Sequence, residues 1–430
     1  MDRCVFHVDV NSAFLSWSAV KRMKEDPTAV DLRTIPSAVG GDVRTRHGVI
    51  TAKSLPAKKF GIHTGETVVS ALGKCPSLTL IPSDFATYRQ YSKEFIRILE
   101  SHAPLVEQVS IDEAYLDMTD AVYTAASECP VSEYPATALC AANCSAALSA
   151  AEPSASAHSD APLRETAVRL ARVIKDEIRN SLGFTVNIGI SSNKLLAKMA
   201  SDFEKPDKLH TLWAEEIPAK LWPLPIGALH GCGRASAAAL SAFGIKTIGD
   251  AALSDIRMLR AILGEKGGDY ISRCARGQSS SPVRSTRDAA KSYSNERTTS
   301  EDISEENYRF LLPPLLKDLS MRVAGRMQRD AIRALTIGVM VKTGKFQRHS
   351  RQTTLSSATS DSTKIFDTAT ALMDELLLSR RGLFRRGEVL RLVGVSAQNL
   401  DSGSYEQLSL FDFMPDTPSA NAIPTKHRKV

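Results

Sequence analysis

The sequence lacks the run of about eighteen apolar residues that a membrane-spanning helix needs. It also lacks the regions of a signal peptide, because its first residues, MDRCVFHVDV, lead directly into a strand pattern. Cysteine is scarce, with seven scattered residues in 430, which predicts a reducing compartment rather than a disulfide framework. We therefore expect a cytoplasmic protein without a membrane anchor.

The segment 124–162 is nearly free of lysine and arginine, rich in alanine and serine, and without helical periodicity. Such a composition buries little apolar surface, so we predict a disordered insertion. Cys140, Cys144 and His158 lie within it, but their spacing is poor for zinc ligands. Unpaired thiols are therefore the favoured interpretation.

The remainder has an ordinary globular composition, 43% hydrophobic and 24% charged, with a net charge of +6. A chain of this length suffices for two to four domains. Before residue 213 the predicted order is strand, helix, irregular insert, helix, hairpin, helix, strand, helix and strand, an α/β arrangement. It resembles a ferredoxin-like split βαβ sheet with helices on one face. The predicted strands are 4–10, 184–190 and 208–213, and the predicted helices are 11–23, 85–103, 163–182 and a serine-capped helix in 191–207.

Residues 224–252 have the pattern of a helix-hairpin-helix module, in which Gly231 and Gly233 flank a tight turn. Such a turn presents backbone N–H groups at a helix N-terminus to a phosphate, and glycine permits the close approach. The alternative is a helical hairpin without a ligand. The repeated glycine-containing turn favours the binding of DNA phosphates.

After a Ser/Arg-rich linker at 279–293, an α/β pattern resumes from 296 to 400, with 17 Lys/Arg against 12 Asp/Glu. The predicted helices are 303–328 and 363–380, and the predicted strands are 333–344, 348–356 and 388–400. Basic residues concentrate between positions 322 and 351, which suits a sheet lying along a phosphate backbone, although a solvated face is the usual meaning of such a run. The predicted DNA-binding residues are Arg333, Lys342, Lys345, Arg348 and Arg351.

Three carboxylates lie at predicted strand ends: Asp9 after the first strand, and the adjacent Asp112 and Glu113 in a hairpin. If the two segments are neighbours in one sheet, the acids converge and repel one another unless a cation joins them. Oxygen ligands of this kind suit Mg²⁺, and two such ions can clamp the oxygens of a phosphoryl transfer. Exposed acids at strand ends are the alternative interpretation.

The stretches FHVDVNSAF (6–14), SIDEAYLD (110–117) and GISSNKLLAKMASDFEKPD (189–207) resemble the active-site motifs of Y-family translesion DNA polymerases of the bacterial DinB type. The resemblance covers about residues 1–400 apart from the insertion. It implies a right-hand polymerase with a ferredoxin-like palm (1–10 and 82–212), small fingers (11–81), a helix-hairpin-helix thumb (213–279), a linker (280–291), an α/β little finger (292–400) and a disordered tail (401–430).

The resemblance also implies roles for single residues. Asp9 and Asp112 would bridge two Mg²⁺ ions, Val10 would supply a backbone carbonyl, and Glu113 would bind the metal near the primer 3′-hydroxyl. Phe14 would exclude a ribose 2′-hydroxyl, Lys205 would reach the triphosphate, and Thr51 would help to roof the nascent base pair. Lys194 and Lys198 are weaker candidates for contact with the triphosphate, since a lysine on a helix is usually solvated. The implied partners are primer–template DNA and dNTPs.

The chain departs from the family pattern in the fingers, where SLPAK (54–58) replaces Ser-Tyr-Glu-Ala-Arg. Leu55 removes a tyrosine hydroxyl, and Lys58 replaces an arginine that offers a planar fork. Asn11 stands where a second acid is common, and Ala13 stands where an aromatic is common. We expect altered triphosphate contacts rather than lost activity.

The tail segment EQLSLFDF (406–413) is apolar within a polar terminus. Gln407, Leu408, Leu410 and Phe411 resemble the bacterial sliding-clamp-binding peptide Gln-Leu-x-Leu-Phe, which docks in a groove of the clamp. A tail strand that packs back on its domain is the alternative. We expect a monomeric, low-processivity, nucleoid-associated enzyme that is tethered by a clamp.

Two other functions are compatible with parts of the sequence. A nucleotidyl cyclase also places acids on the first strand and a hairpin, but it has no need of a DNA-binding hairpin, a basic domain or a clamp peptide. A catalytically decayed DNA-binding protein is favoured only by Leu55 and Lys58. The leading prediction is a Mg²⁺-dependent, template-directed DNA polymerase that inserts dNTPs opposite damaged template.

Overall fold

The computed structural model describes residues 3–41, 48–128, 160–286 and 288–402. The chain forms two compact units, Met1–Arg287 and Asp288–Val430. In the described ranges, no helix is long and apolar enough to cross a membrane. The finer boundaries expected within the two units remain predictions.

A five-stranded sheet organises the first unit, in the order β5-β6-β1-β7-β8. The central strand β1 pairs antiparallel with both β6 and β7, and β7 pairs parallel with β8. The strands are β1 (Val5–Val10), β5 (Leu105–Gln108), β6 (Glu113–Asp117), β7 (Val186–Ser191) and β8 (Leu209–Thr211). All of these strands lie within or near segments that the sequence predicted as β.

Alternate residues of β1 face two different environments. Phe6, Val8 and Val10 belong to a large core that also contains buried side chains of the surrounding helices. The helices that contribute to this core are α1 (Ala13–Glu25), α4 (Phe85–His102), α5 (Thr119–Glu128) and α6 (Ala161–Leu182). Val5 packs instead with Ala197 of the short helix α7 (Lys194–Ser201). The expectation of helices on one face is therefore wrong for α7, which covers the other face.

Helix α7 approaches the sheet very closely at Gly189. A Cβ atom at this position would lie 2.0 Å from the Ala197 carbonyl oxygen and 2.4 Å from the Ser201 nitrogen. Any side chain would push helix and strand apart, so this contact requires glycine. Because Gly189 pairs with His7 in the sheet, the contact brings α7 over the end of β1. The N-cap of α7 is Asn193, which accepts a hydrogen bond from Leu196 N, and not the predicted serine.

A smaller sheet of order β3-β2-β4 follows α1, where the sequence predicted only an irregular subdomain. It combines β2 (Ser37–Gly40), β3 (Ile50–Lys53) and β4 (Thr79–Ile81) with α2 (Leu55–Lys59) and α3 (Val68–Lys74). Its strands are short because they need only cover a small core around Ile50 and Ile62.

The last part of the first unit is helical. It contains α8 (Arg234–Ala242), α9 (Ile248–Leu253), α10 (Ile256–Leu263), α11 (Glu265–Ala275) and short turns at Ala214–Glu216, Ile217–Leu221 and Ile226–Ala228. Leu195, Leu196 and Met199 of α7 share a core with these helices. One short helix thus connects this helical part to the sheet.

The second unit has a four-stranded sheet of order β11-β10-β12-β9 and two helices. The elements are β9 (Ser292–Ile303), α12 (Tyr308–Arg329), β10 (Arg333–Thr343), β11 (Arg348–Thr359), α13 (Ser362–Leu378), a short turn at Phe384–Arg386 and β12 (Leu390–Asp401). Leu319 and Val323 of α12 share a core with Val339 and Val341 of β10. The helices therefore cover one face of the sheet and leave the other open.

Two predicted segments need correction. Strand β9 was not predicted, since the linker was expected to end at 293 and the next helix to begin at 303. It is a polar edge strand with only Tyr293, Thr299 and Ile303 buried, so it shows no clear alternation. Residues 124–128 and 161–162, assigned to the insertion, are helical in α5 and α6. Val122 anchors α5 in the core, so the helix continues into the alanine-rich segment. Positions 129–159, including Cys140, Cys144 and His158, lie outside the described residues.

Candidate active site

The structure brings the three predicted acids to one end of the first sheet. Asp9 on β1 and Glu113 on β6 are register partners in adjacent strands. Asp112 lies in the turn before β6, and its carbonyl accepts a hydrogen bond of 2.9 Å from Val10 N. The turn interrupts the alternation of side chains along the strand, which allows two consecutive acids to lie near one site.

Lys198 of α7 supplies a countercharge that the sequence analysis did not anticipate. Its Nζ lies 2.9 Å from Glu113 Oε2 and 3.5 Å from Asp9 Oδ2. Burial favours loss of its proton, but the hydrogen bond to Glu113 and the charge of Asp9 more than offset this effect and raise the pKa of Lys198. The interpretation of Lys198 as a solvated helix lysine is therefore wrong.

Lys205 and Asp202 extend this charge cluster. Lys205 Nζ lies 3.0 Å from Asp9 Oδ2 and 2.9 Å from Asp202 Oδ1. Asp9 thus contacts two ammonium groups. Lys194 is separate from the cluster, because its Nζ lies 2.6 Å from Glu107 Oε1 and 4.8 Å from the ring centre of Tyr115.

His7 holds Glu113 from the other side. It is fully buried on β1, with Nδ1 2.8 Å from Ser201 Oγ and Nε2 3.4 Å from Glu113 Oε2. Burial lowers the pKa of His7 and favours the neutral ring. The contacts with His7 and Lys198 lower the pKa of Glu113 to about 2, so this carboxylate is ionised at neutral pH.

Asp112 has the opposite environment. Burial is the main cause that raises its pKa, and the nearby charges of Asp9 and Glu113 raise it further. Ser110 Oγ donates a hydrogen bond of 2.6 Å to Asp112 Oδ1, which only partly offsets the increase. Of the two adjacent acids, Asp112 is therefore the one whose charge most needs an added cation.

Asp9 and Asp112 border a cavity of about 230 Å³ between the large and small sheets. Phe14 forms part of its wall and stacks on Tyr88, with ring centres 4.6 Å apart and an interplanar angle of 15°. Thr51 donates its hydroxyl hydrogen to the Val39 carbonyl at 3.2 Å, which fixes its side chain at the cavity. The lining residues are Asp9, Val10, Ser12, Ala13, Phe14, Thr51, Ala52, Lys53, Thr64 and Asp112.

Lys53 is a cavity residue that the sequence analysis missed. Burial and the charge of Lys58 lower its pKa, and its Nζ lies 3.4 Å from Thr64 Oγ1. Lys58 itself is exposed and is not part of the cavity wall, and Leu55 is 49% exposed. The alternation of β3 was the available signal, because Lys53 follows Thr51 by two residues and shares its face.

The chemistry of the acids fits a hard divalent cation, and Asp112 lacks compensating charge as such a site requires. The present arrangement of the three carboxylates does not fit such a cation. Among the described residues, no group of three or more His, Cys, Asp or Glu side chains is placed to hold a metal ion. Asp9 and Glu113 are turned toward lysines instead. A metal ion held by these two carboxylates would therefore have to displace the Lys198 ammonium group.

The two glycines of the predicted phosphate-binding turn have different roles. Gly231 has a φ of 84°, and a Cβ there would lie 2.4 Å from the hydroxyl oxygen of Tyr270. Its absent side chain is therefore explained by packing. Gly233, the N-cap of α8, would have no neighbouring atom within 4 Å of an added Cβ. Only Gly233 leaves space for a ligand at the helix N-terminus.

The predicted basic residues of the second unit do not share one face. Lys342 and Arg348 are register partners, and they lie on the open face because the neighbouring Val341 belongs to the core. Arg351 pairs with Val339 on the helix-covered side, where its Nε lies 3.4 Å from Glu375 Oε1. The two faces of the sheet therefore divide the predicted DNA-binding residues, and the role of Arg351 stays a prediction.

Arg333 begins β10 and Lys345 lies in the turn after it, and both form ion pairs, as Arg348 does with Glu296 Oε1 at 3.9 Å. Arg333 Nη2 lies 3.5 Å from Asp401 Oδ2, and Lys345 Nζ lies 2.9 Å from Glu388 Oε1. The predicted clamp-binding residues Gln407, Leu408, Leu410 and Phe411 lie outside the described residues.

Family comparisons place the chain among known proteins. The impB/mucB/samB family matches residues 8–202, and the C-terminal domain of that family matches residues 290–410. The chain is 38% identical to DNA polymerase IV of Clostridium acetobutylicum over 97% of its length and 92% of the relative. It is 32% identical to DNA polymerase IV of Methanoculleus marisnigri, over 96% of the chain and 98% of the relative.

A solved structure shares the fold. A Y-family DNA polymerase chimera superposes with a TM-score of 0.71 at 23% identity, covering 92% of this chain and 98% of that one.

Replacing Lys198 with Gln should lower the melting temperature of the metal-free chain, because Asp9 and Glu113 lose their shared cation. Removal of one partner of a fully buried pair costs about 3–5 kcal/mol, and the cost here is smaller because both side chains keep some exposure. Mg²⁺ should then stabilise the variant more than the wild type, since the ion no longer competes with an ammonium group. Thermal unfolding with and without Mg²⁺ measures both effects.

Lys194→Gln is the matched control, because it removes a lysine of the same helix that pairs with Glu107 instead. Its melting temperature should fall without any change in the Mg²⁺-dependent increment. An equal increment in the wild type and both variants would contradict competition between Lys198 and the metal.

Proposed function

We propose that Asp9, Asp112 and Glu113 form the catalytic centre of this chain. The chain belongs to the impB/mucB/samB family and is a Y-family, DinB-like DNA polymerase with translesion function. As a DNA-directed DNA polymerase it uses DNA and dNTPs and requires a divalent metal. This assignment replaces the cyclase and decayed-enzyme alternatives. The convergence of three acids beside an open cavity is the observation that carries the proposal.

We propose that the metal requirement is met by two Mg²⁺ ions. Asp9, Asp112 and Glu113 would hold them by carboxylate oxygens and Val10 by its carbonyl. Bound there, the ions would polarise the phosphoryl oxygens and activate the primer hydroxyl. The low pKa of Glu113 keeps this ligand ionised. Burial, and then repulsion from Asp9 and Glu113, raise the pKa of Asp112, and a bound metal would offset both effects.

The lysines of the site are suited to the triphosphate. Lys205 is about one-third exposed, and once a metal takes over Asp9 its ammonium group becomes free to meet a phosphate. Lys53 lines the cavity and carries a mobile point charge, which meets phosphate without the fixed geometry of arginine. We propose that Lys53 compensates in part for the lysine at position 58, which replaces the arginine of the family pattern.

Phe14 is suited to reject ribonucleotides. Its ring is fixed by stacking on Tyr88 and borders the cavity next to Asp9 and Val10. A ring that cannot move aside leaves no room for an additional hydroxyl on the sugar. Thr51 and Ala52 line the same cavity with small side chains, which suits tolerance of distorted bases.

DNA contacts are proposed at two places. The turn before α8 can offer its N–H groups to a phosphate at Gly233, where the space is open. Lys342 and Arg348 on the open face of the second sheet can follow a phosphate backbone. Arg333, Lys345 and Arg348 can contribute charge only to the extent that their acidic partners release them. Arg351 pairs with Glu375, and packing against Tyr270 explains Gly231.

Replacing Asp112 with Asn should abolish primer extension, because a neutral amide cannot hold a metal as a carboxylate does. Loss of at least a thousandfold in rate is expected, with primer–template binding within a few-fold of the wild type. Primer extension and fluorescence anisotropy measure the two quantities. Asp120→Asn, at an exposed acid of α5, is the control. Extension by Asp112→Asn at the rate of that control would remove Asp112 from the catalytic centre.

Replacing Phe14 with Ala should increase ribonucleotide incorporation by ten- to a hundredfold, because the cavity gains room beside the sugar. Single-nucleotide insertion of rNTP and dNTP measures the ratio. Phe85→Ala is a suitable control, since Phe85 contacts Phe14 with ring centres 6.2 Å apart but does not line the cavity. The same sugar selectivity in both variants would place the discrimination elsewhere.

We propose that the tail binds a sliding clamp through Gln407, Leu408, Leu410 and Phe411, on the basis of their sequence pattern. Deletion of residues 407–411 should reduce extension only when a bacterial clamp is loaded on the template. Processivity assays with and without clamp make the distinction. If the deletion reduces extension equally in both assays, the segment serves the polymerase itself.

A further inference from the structure

An arginine-lined cleft lies on the helix-covered side of the second unit, between α12 and the edge strand β9. Its volume is about 380 Å³. Asn295 of β9 faces the helices, because its register partner Val395 belongs to the core. The lining residues are Asn295, Met321, Arg322, Gly325, Arg326 and Arg329. The cleft thus opens on the side opposite to Lys342 and Arg348.

The three arginines are spaced to act together. Positions 322, 326 and 329 fall on one face of α12, and the helical rise separates the first from the last by about 10 Å. A single phosphate is too small to bridge such a distance. A row of phosphates along one strand has the required extent and charge.

Local contacts hold each guanidinium in position. Arg322 Nε lies 2.9 Å from Asp318 Oδ2, and Arg329 Nε donates to the Gly325 carbonyl at 3.3 Å. Arg326 donates to the Ser294 carbonyl at 3.0 Å and lies 5.3 Å from the ring centre of Tyr293. A guanidinium has five N–H donors, so these contacts orient the groups and leave donors for a ligand.

Gly325 gives the cleft an open floor. It lies inside a 22-residue helix, where glycine is less favourable than alanine, and a Cβ would meet nothing within 4 Å. Packing therefore does not explain this glycine. The missing side chain lets a ligand approach the helix backbone between Arg322 and Arg329.

We propose that this cleft binds consecutive phosphates of a single DNA strand, at a site separate from the primer–template duplex. Arginine suits the site because its planar fork donates two hydrogen bonds to one phosphate. This inference rests on the proposed function, in which a duplex along the open face would contact Lys342 and Arg348 but not the opposite side of the same sheet. The strand in the cleft is therefore a second segment of nucleic acid.

The test uses the full chain, saturated with an unlabelled hairpin primer–template, and a labelled twelve-nucleotide single strand. Arg322→Gln, Arg326→Gln and Arg329→Gln together should weaken binding of the strand by tenfold or more. Loss of three phosphate contacts should also make the salt dependence shallower by about 2 in log K against log salt, at about 0.7 per contact. Anisotropy titrations at several salt concentrations measure both.

The control is the triple variant Arg380→Gln, Arg381→Gln and Arg386→Gln, which removes the same charge from exposed positions of the same unit. It should bind the strand within a few-fold of the wild type. Equal weakening in both triple variants would overturn the proposal, since net charge alone would explain it. Equal loss of primer–template binding in the cleft variant would also overturn it, because the cleft would then belong to the duplex site.

A second pair of variants guards against misfolding. Gly325→Glu and Gly325→Gln both project into open space and differ only in charge. The acid should bind the strand at least tenfold more weakly than the amide, while both variants melt at or above the wild-type temperature, because glycine is unfavourable inside a helix. Identical affinities would overturn the proposal, as would competition by polyglutamate at the same concentration as by unlabelled single strand.

Discussion

The close contact between helix α7 and strand β7 at Gly189 is the constraint on which the site depends. It allows the backbone of α7 to lie directly on the sheet, which no residue with a Cβ permits. As a result Lys198 and Ser201 come within contact distance of Asp9, Glu113 and His7. The same helix packs against the helical part of the first unit through Leu195 and Met199.

Most of the negative charge of the acids is balanced when no metal is bound. Lys198 and Lys205 neutralise Asp9 and Glu113 in the metal-free chain, and His7 orients Glu113 without carrying charge. This arrangement avoids the cost of several unpaired carboxylates in a half-buried place. Asp112 is the exception, because the nearby charges that raise its pKa are those of its acidic neighbours. The site is thus stable when empty, yet it retains one carboxylate that favours the entry of a cation.

Sequence reasoning located the acids because strand ends and a hairpin can be recognised from local pattern alone. Strands β10–β12 and most helices followed from the same alternation and periodicity. It failed for Lys198 and Lys53, whose roles depend on which face of a helix or strand meets another element. It failed for β9, because a polar edge strand buries too few residues to show alternation. It also could not separate Arg351 from Lys342 and Arg348, since strand register decides the face.

We infer that a divalent cation and the Lys198 ammonium group alternate as partners of the same carboxylates. A crystal structure of the full chain with primer–template, a non-hydrolysable dNTP analogue and Mn²⁺ tests it most directly. We expect anomalous peaks bound by Asp9, Asp112 and Glu113, with Lys198 Nζ beyond hydrogen-bonding distance of Glu113. Manganese bound elsewhere, or Lys198 still hydrogen-bonded to Glu113 beside the bound metal, would contradict it.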